Sequence, residues 1–303
     1  MTRAETFTKT AETINLFTSR FNKNMGTRQG DMWKTILGTI KKLETSAAGE
    51  ILPNTSNLKI LRNLRGDLKN TIITSEYKKN LTTFLSGFDE LKGINDTYYQ
   101  AIASGTLNAN KNVFNAITSL SVDATKNSLL ESGISQEVIA PVEKILNQNV
   151  TTGGTFTDLS ESLRSQILGG SDKLGSLERY TKQITTDSLN QFNANYNQAM
   201  SQELGLQFYY YSGAVKDTTR DYCSGIVNGG KLGLPGGRYY HKKEVEESAS
   251  LQWAGKISGT NSSSILVNRG GYNCGHQWLA VDTLTVPSSA KDRAAAKGYY
   301  NQT

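Results

Sequence analysis

Residues 177–205, LERYTKQITTDSLNQFNANYNQAMSQELG, run directly into LQFYYYS at 206–212. Leu177, Tyr180, Ile184, Phe192, Tyr196 and Met200 recur at helical intervals, and Gly205 follows as a natural C-cap, so the first stretch reads as one long amphipathic helix. The second stretch alternates and is rich in aromatic residues, which suits a strand. A long helix feeding an aromatic strand sets the expectation for the chain: predominantly helical α+β, with a small antiparallel sheet placed late.

Downstream, residues 213–275 are turn-rich, punctuated by Gly229-Gly230, Pro235-Gly236-Gly237 and Gly270-Gly271, and His276 to Val281 reads as a closing strand. From Pro287 the sequence reads as an adaptable tail, 287–303, in which Tyr299-Tyr300 are anchors. Upstream, Leu159, Leu163, Ile167 and Leu168 mark a helix ending at Gly169-Gly170. Thr151-Thr152-Gly153-Gly154-Thr155 is a small-residue break and serves as the expected boundary between a helical domain, 1–150, and a C-terminal domain of long helices and sheet, 151–286.

The first 150 residues carry repeated apolar stripes, among them Ile14/Phe17/Phe21, Trp33/Ile36/Leu37/Ile40/Leu43, Ile60/Leu61/Leu64/Leu68, Phe84/Leu85/Phe88/Leu91, Val113/Phe114/Ile117/Leu120 and Val138/Ile139/Val142/Ile145/Leu146. With prolines only at 53, 141, 235 and 287, helices can run unbroken and bury these faces against one another as an array. No internal repeat or phosphate-cradling glycine motif is present.

At 303 residues the chain is long enough for two domains, and with 37% hydrophobic residues and 28 glycines it falls in the globular range. No apolar run is long enough to span a bilayer, and MTRAETFTKTAETINLF carries charge where a signal peptide needs its apolar core, so the expectation is a soluble product of the cytoplasm with no membrane partner. The net charge of +6 is uneven: residues 1–79 hold 14 Lys/Arg against 7 Asp/Glu, and the remainder 19 against 20. A basic end on a neutral body points to an anionic partner such as nucleic acid, or to a solvated lysine-bearing helix face.

Cys223, His241, Cys274 and His276 are all the cysteines and histidines in the sequence, and they fall within 54 residues of a glycine-rich segment. Two thiolates and two imidazoles form a plausible tetrahedral zinc set, and a turn-rich segment with little core is where a metal staple would help. Only Cys274-Gly275-His276 has the close spacing that structural zinc sites favour. Two other readings stay open. The cysteines can be small buried side chains packing on one another. Alternatively Cys223 can be a nucleophile, with His241 or His276 as base and Asp217 or Asp221 as orienter.

Read in order, the helix at 177–205, the aromatic strand, Asp217-Thr218-Thr219-Arg220-Asp221-Tyr222-Cys223 and Gly271-Tyr272-Asn273-Cys274-Gly275-His276-Gln277-Trp278 resemble the head morphogenesis family of tailed bacteriophages, the Mu F-like minor head proteins. The resemblance covers roughly residues 177–285. Its motif positions are Asp217, Thr219, Arg220, Asp221, Cys223, Asn273, Cys274 and His276. The sequence departs from the family at Gly275, where the pattern has a basic residue.

The resemblance implies a non-enzymatic minor capsid component, present in multiple copies inside the head near the portal vertex and assembled in the host cytoplasm. Its partners would be the portal protein and other capsid subunits, with packaged double-stranded DNA met through residues 1–79. The Cys/His residues would knit the small domain together, by packing or by a structural zinc, with no other cofactor implied. The competing function classes are a phage-carried cysteine-dependent hydrolase or toxin-like effector, and a sequence-independent DNA-binding virion protein.

Overall fold

The computed structural model describes residues 1–103 and 111–301. Helices α1 (Arg3–Asn22), α2 (Met25–Ile40), α3 (Thr55–Ile72), α4 (Ser75–Ile102) and α5 (Lys111–Leu130) come first. A π-helical turn (Ile134–Ile139) leads into α6 (Ala140–Thr152), and α7 (Phe156–Leu168) is followed by the two-residue strands β1 (Gly169–Gly170) and β2 (Lys173–Leu174). Then come α8 (Ser176–Glu203), β3 (Phe208–Ser212), α9 (Asp221–Asn228), β4 (Tyr239–His241), α10 (Lys242–Ser248), α11 (Ile265–Asn268), β5 (Gln277–Val281) and α12 (Ser288–Ala296). The molecule is therefore predominantly helical α+β with a small antiparallel sheet, as the helix–strand junction at 205–208 predicts. None of its described helices is long and apolar enough to cross a membrane.

The chain forms two compact units, one of residues 1–15, 87–121 and 187–303, the other of residues 16–86 and 122–186. The expected boundary at 151–155 does not separate them. Gly153 closes α6 in the left-handed conformation, and Thr155 caps α7 by accepting from Asp158 N at 3.1 Å, so the break is a tight corner between helices. Ile51 N donates to Gly154 O at 3.0 Å, which ties that corner to the α2–α3 connection.

In the second unit α2 packs against α3 and α7, and α6 against α3 and α7. The stripes ending in Ile36 and Ile40, in Leu64 and Leu68, and in Val142 and Leu146 are buried there, and Phe21 stacks edge-on against Tyr77 at 5.4 Å. Asn57, fully buried, satisfies three backbone groups of the α2–α3 loop: it donates to Glu44 O and Leu52 O and accepts from Glu44 N.

The first unit is organised by the sheet, in the order β4-β3-β5, all antiparallel. Register sets Phe208 opposite His241 and Val281, and Tyr211 opposite Trp278. Because successive strand residues point to opposite faces, Phe208 and Tyr211 serve different layers. Phe208 meets Val286, Ala290 and Ala294 on one face, together with Tyr300 at 5.2 Å. The expected tail is thus corrected: residues 288–296 form α12, which covers one face of the sheet, and Arg293 of that helix holds the buried Glu244 at 2.8 Å.

The other face bears Tyr209 and Tyr211. Tyr209 bonds Ser201 of α8, and Tyr98 of α4 donates to Ala280 O at 2.9 Å. Beneath it runs a buried amide ladder, Asn95 to Asn193 at 2.8 Å and Asn193 to Gln277 at 3.0 Å, with Tyr99 donating to Asn197 at 2.7 Å. A second correction concerns the Val113/Phe114/Ile117/Leu120 stripe: Phe114 is buried against Tyr196, but Val113 and Leu120 are exposed.

Candidate metal centre

Tyr211, the last aromatic residue of β3, has its hydroxyl inside the first unit, 3.2 Å from Cys223 Sγ and 3.7 Å from Cys274 Sγ. Cys223 stands in the first turn of α9, which starts at Asp221 after the turn that Thr219 closes on Lys216. Cys274 follows a tight turn in which Asn273 adopts a left-handed φ of 55° and Cys274 N donates to Gly271 O. The two motif segments are clasped by Arg220, whose guanidinium donates to Tyr272 O at 2.5 Å. Sequence-distant residues are thereby brought to one point: the sulfurs are 3.8 Å apart, and His276 Nδ1 lies 3.9 Å from Cys274 Sγ.

The ligand atoms of Cys223, Cys274 and His276 all lie within 4.8 Å of one another, and all three residues are buried. A zinc–sulfur bond of about 2.3 Å gives a tetrahedral edge of about 3.8 Å, which the two sulfurs match. A disulfide needs about 2.05 Å between sulfurs, and both cysteines are free thiols. Two glycines make the cradle. A Cβ on Gly270 would fall 2.2 Å from Cys223 Sγ and 2.9 Å from Cys274 Sγ, and one on Gly213 would fall 2.4 Å from the His276 ring. The His276 ring also stacks on Tyr211, with 5.1 Å between centroids.

His241, the expected fourth ligand, is elsewhere. It sits opposite Phe208, three residues along β3 from Tyr211 and on the other face of the sheet, packed between Phe208 and Tyr299. There it caps α10: its Nδ1 accepts from Lys243 N at 3.2 Å, and Glu244 reaches back to His241 N. Burial in this apolar setting lowers its pKa below the ordinary histidine value.

Of the remaining motif positions, Asp217 is exposed, Asp221 pairs with Lys231 at 3.4 Å on the surface, and Asn273 N donates to Asp187 at 3.4 Å. Neither Asp217 nor Asp221 joins the cluster, and Asn273, next to Cys274 in sequence, lines the same concavity as the cluster. Asp187 and the fully buried Arg269 were not legible as neighbours of the site. Arg269 carries the signal of burial without apolar character: it is 2% exposed and donates to Asn190 O at 2.9 Å.

The two cysteines are coupled through the hydrogen bond between their sulfurs. The hydrogen bond with Cys274 drives the Cys223 pKa up, and burial adds to this. The same hydrogen bond, helped by His276 and the Arg269 charge, pulls Cys274 well below the usual thiol range. Two cysteine sulfurs beside an imidazole are a soft ligand set suited to zinc.

The cluster lines the inner wall of a concavity of about 390 Å³, whose mouth carries Lys216, Thr218, Thr219, Arg220 and Asn273. Compared with family models, with curated proteins and with solved structures, the chain finds no match.

Proposed function

We propose that the chain is a structural head-morphogenesis protein of a tailed bacteriophage, an internal minor capsid component near the portal vertex. The observation that carries this reading is the interlocking of its two motif segments. The Thr219-Arg220-Cys223 turn and the Asn273-Cys274-His276 knuckle, about 50 residues apart in sequence, meet as one buried Cys-Cys-His cluster clasped by Arg220. The resemblance names the same positions. In this role the cluster, closed by zinc, pins together a glycine-rich segment whose buried core includes Tyr222, Ile226, Tyr240, Val245 and Trp278. Residues 1–79 contribute the basic surface: Lys59, Arg62 and Lys69 are exposed at helical spacing on α3, as contact with packaged DNA requires.

Mass spectrometry of purified particles and proheads, with recovery of the portal in a pull-down, tests the assignment. Detection in either particle, together with loss of incorporation for Cys223→Ser, is the expected result. Absence from both overturns it.

A second reading has its own observation. The lowered thiol of Cys274, beside His276 and at the wall of a concavity, is the arrangement of a cysteine-dependent hydrolase, with Cys274 in the place expected for Cys223. Alkylation of Cys274 by iodoacetamide at pH 7 faster than N-acetylcysteine favours the enzyme. A slower rate favours the structural role.

A further inference from the structure

The cluster offers three ligands and zinc takes four. Among the described residues no fourth cysteine, histidine or carboxylate joins the group. The three ligand residues are not sealed off from solvent, because all of them line the concavity. A metal held here therefore has one coordination position turned toward that space.

The surroundings of that position are positive. Zinc with two thiolates is electrically neutral. Arg269, 2% exposed, adds a buried charge next to the Gly270 backbone that abuts both sulfurs. Lys216 and Arg220 stand at the concavity, Thr218, Thr219 and Asn273 supply hydrogen-bonding groups, and no acidic residue lines it. Asp187 accepts from Asn273 N, Asp221 pairs with Lys231, and neither they nor Asp217 line the space. Arg269 is met by Asp187 and Cys274, so the charge facing the concavity is that of Lys216 and Arg220, and a small hard anion in the fourth position answers it.

Resting on the zinc reading above, we infer that Cys223, Cys274 and His276 form an open three-ligand metal site whose fourth ligand is an exogenous oxyanion, a carboxylate or phosphate, steadied by Arg220 and Lys216. The 390 Å³ of space admits a ligand of that size. The site thus binds a ligand as well as holding the fold, and the polar mouth sets its charge preference.

Reconstitution of the full chain with cobalt(II) tests this. Cobalt in a tetrahedral site with two thiolates gives intense visible d–d bands and a near-ultraviolet thiolate charge-transfer band. The expected result is that acetate or phosphate shifts the d–d bands saturably. Lys216→Gln, on the exposed turn, should weaken that binding about tenfold or more, as loss of a charge-assisted hydrogen bond implies, with the starting spectrum unchanged. Arg220→Gln, which also removes the clasp on Tyr272 O, should weaken oxyanion binding and alter the starting spectrum together. A cobalt spectrum that neither oxyanion moves, or that only imidazole moves, overturns the open-site inference and leaves the metal reading standing. Failure of cobalt to bind at all overturns both.

Discussion

Replacing Gly270 by alanine probes the cradle with one carbon atom. Its Cβ would stand 2.2 Å from Cys223 Sγ, 2.9 Å from Cys274 Sγ and 3.5 Å from Tyr211 Oη. Comfortable contact needs about 3.5–4.0 Å, so one sulfur must retreat by about 1.5 Å. Cys223 cannot yield cheaply, since it belongs to the first turn of α9 and lies against Tyr211, itself stacked on His276. Overpacking of this kind costs about 1–3 kcal/mol, and this overlap belongs at the upper end. Against it stands the loss of unfolded-chain freedom when glycine becomes alanine, worth about 0.4–1 kcal/mol in favour of the variant. The net destabilisation is about 2 kcal/mol, a fall in melting temperature of about 4–8 °C for a body of this size.

Gly275→Ala is the matched control. It lies on the same concavity, its φ is not left-handed, and its Cβ meets nothing within 4 Å, so its stability should stay within about 0.5 kcal/mol of the parent. Differential scanning calorimetry reads both. If Gly270→Ala melts with or above the parent, or if Gly275→Ala falls as far, the sulfur cradle is not packed as described.

Other outcomes follow from the same contacts. Arg293→Met leaves Glu244, 3% exposed, without the guanidinium at 2.8 Å. Chemical denaturation should show a loss of about 3 kcal/mol, and a loss under 1 kcal/mol would show that Lys297 compensates. His241 has a lowered pKa in the fold, so above its unfolded value of 6.5 it costs nothing, and as pH falls below that value the unfolded chain takes the proton first. Stability should therefore drop from pH 7 toward pH 5, and His241→Asn, which keeps an N-cap acceptor but cannot titrate, should flatten the drop. An unchanged acid slope in that variant would remove His241 from the account. For the basic face of α3, the combined Lys59→Ala, Arg62→Ala, Lys69→Ala variant should reduce the slope of log affinity for duplex DNA against log salt by between 2 and 3, at about 0.9 per phosphate contact. An unaltered slope would place the DNA contact elsewhere or nowhere.

Much of the architecture was legible in the residue pattern because period and punctuation are local signals. The helix through Met200, its stop at Gly205, where φ is 63°, and the strands 208–212 and 277–281 follow from spacing and turn chemistry. What misled were features decided by distant partners. Residues 288–296 look like a tail because α12 is short and alanine-rich, and its purpose appears only when Ala290 and Ala294 are set against Phe208. The 151–155 break looks like a linker because small residues serve equally in a helix corner. Val113 and Leu120 keep helical period with Phe114 yet remain exposed, since period alone does not say whether a face is covered.

The site divides along the same line. Cys274 and His276, two residues apart, were visible as a pair, and Cys223 joins them through α9. His241 was grouped with them by residue type, and sheet parity puts it on the other face. The buried Asn95–Asn193–Gln277 ladder and Arg269 carry no periodic signal, because polar residues are buried only where a partner waits.

The proposed role rests on Cys223, Cys274 and His276 closing the first unit around a metal. Metal analysis of the full chain purified without chelator tests it most directly. The prediction is one zinc per chain, lost in Cys274→Ser together with a lower melting temperature, while His241→Asn retains it. A zinc ratio near zero, with a melting temperature indifferent to chelator, would contradict the claim.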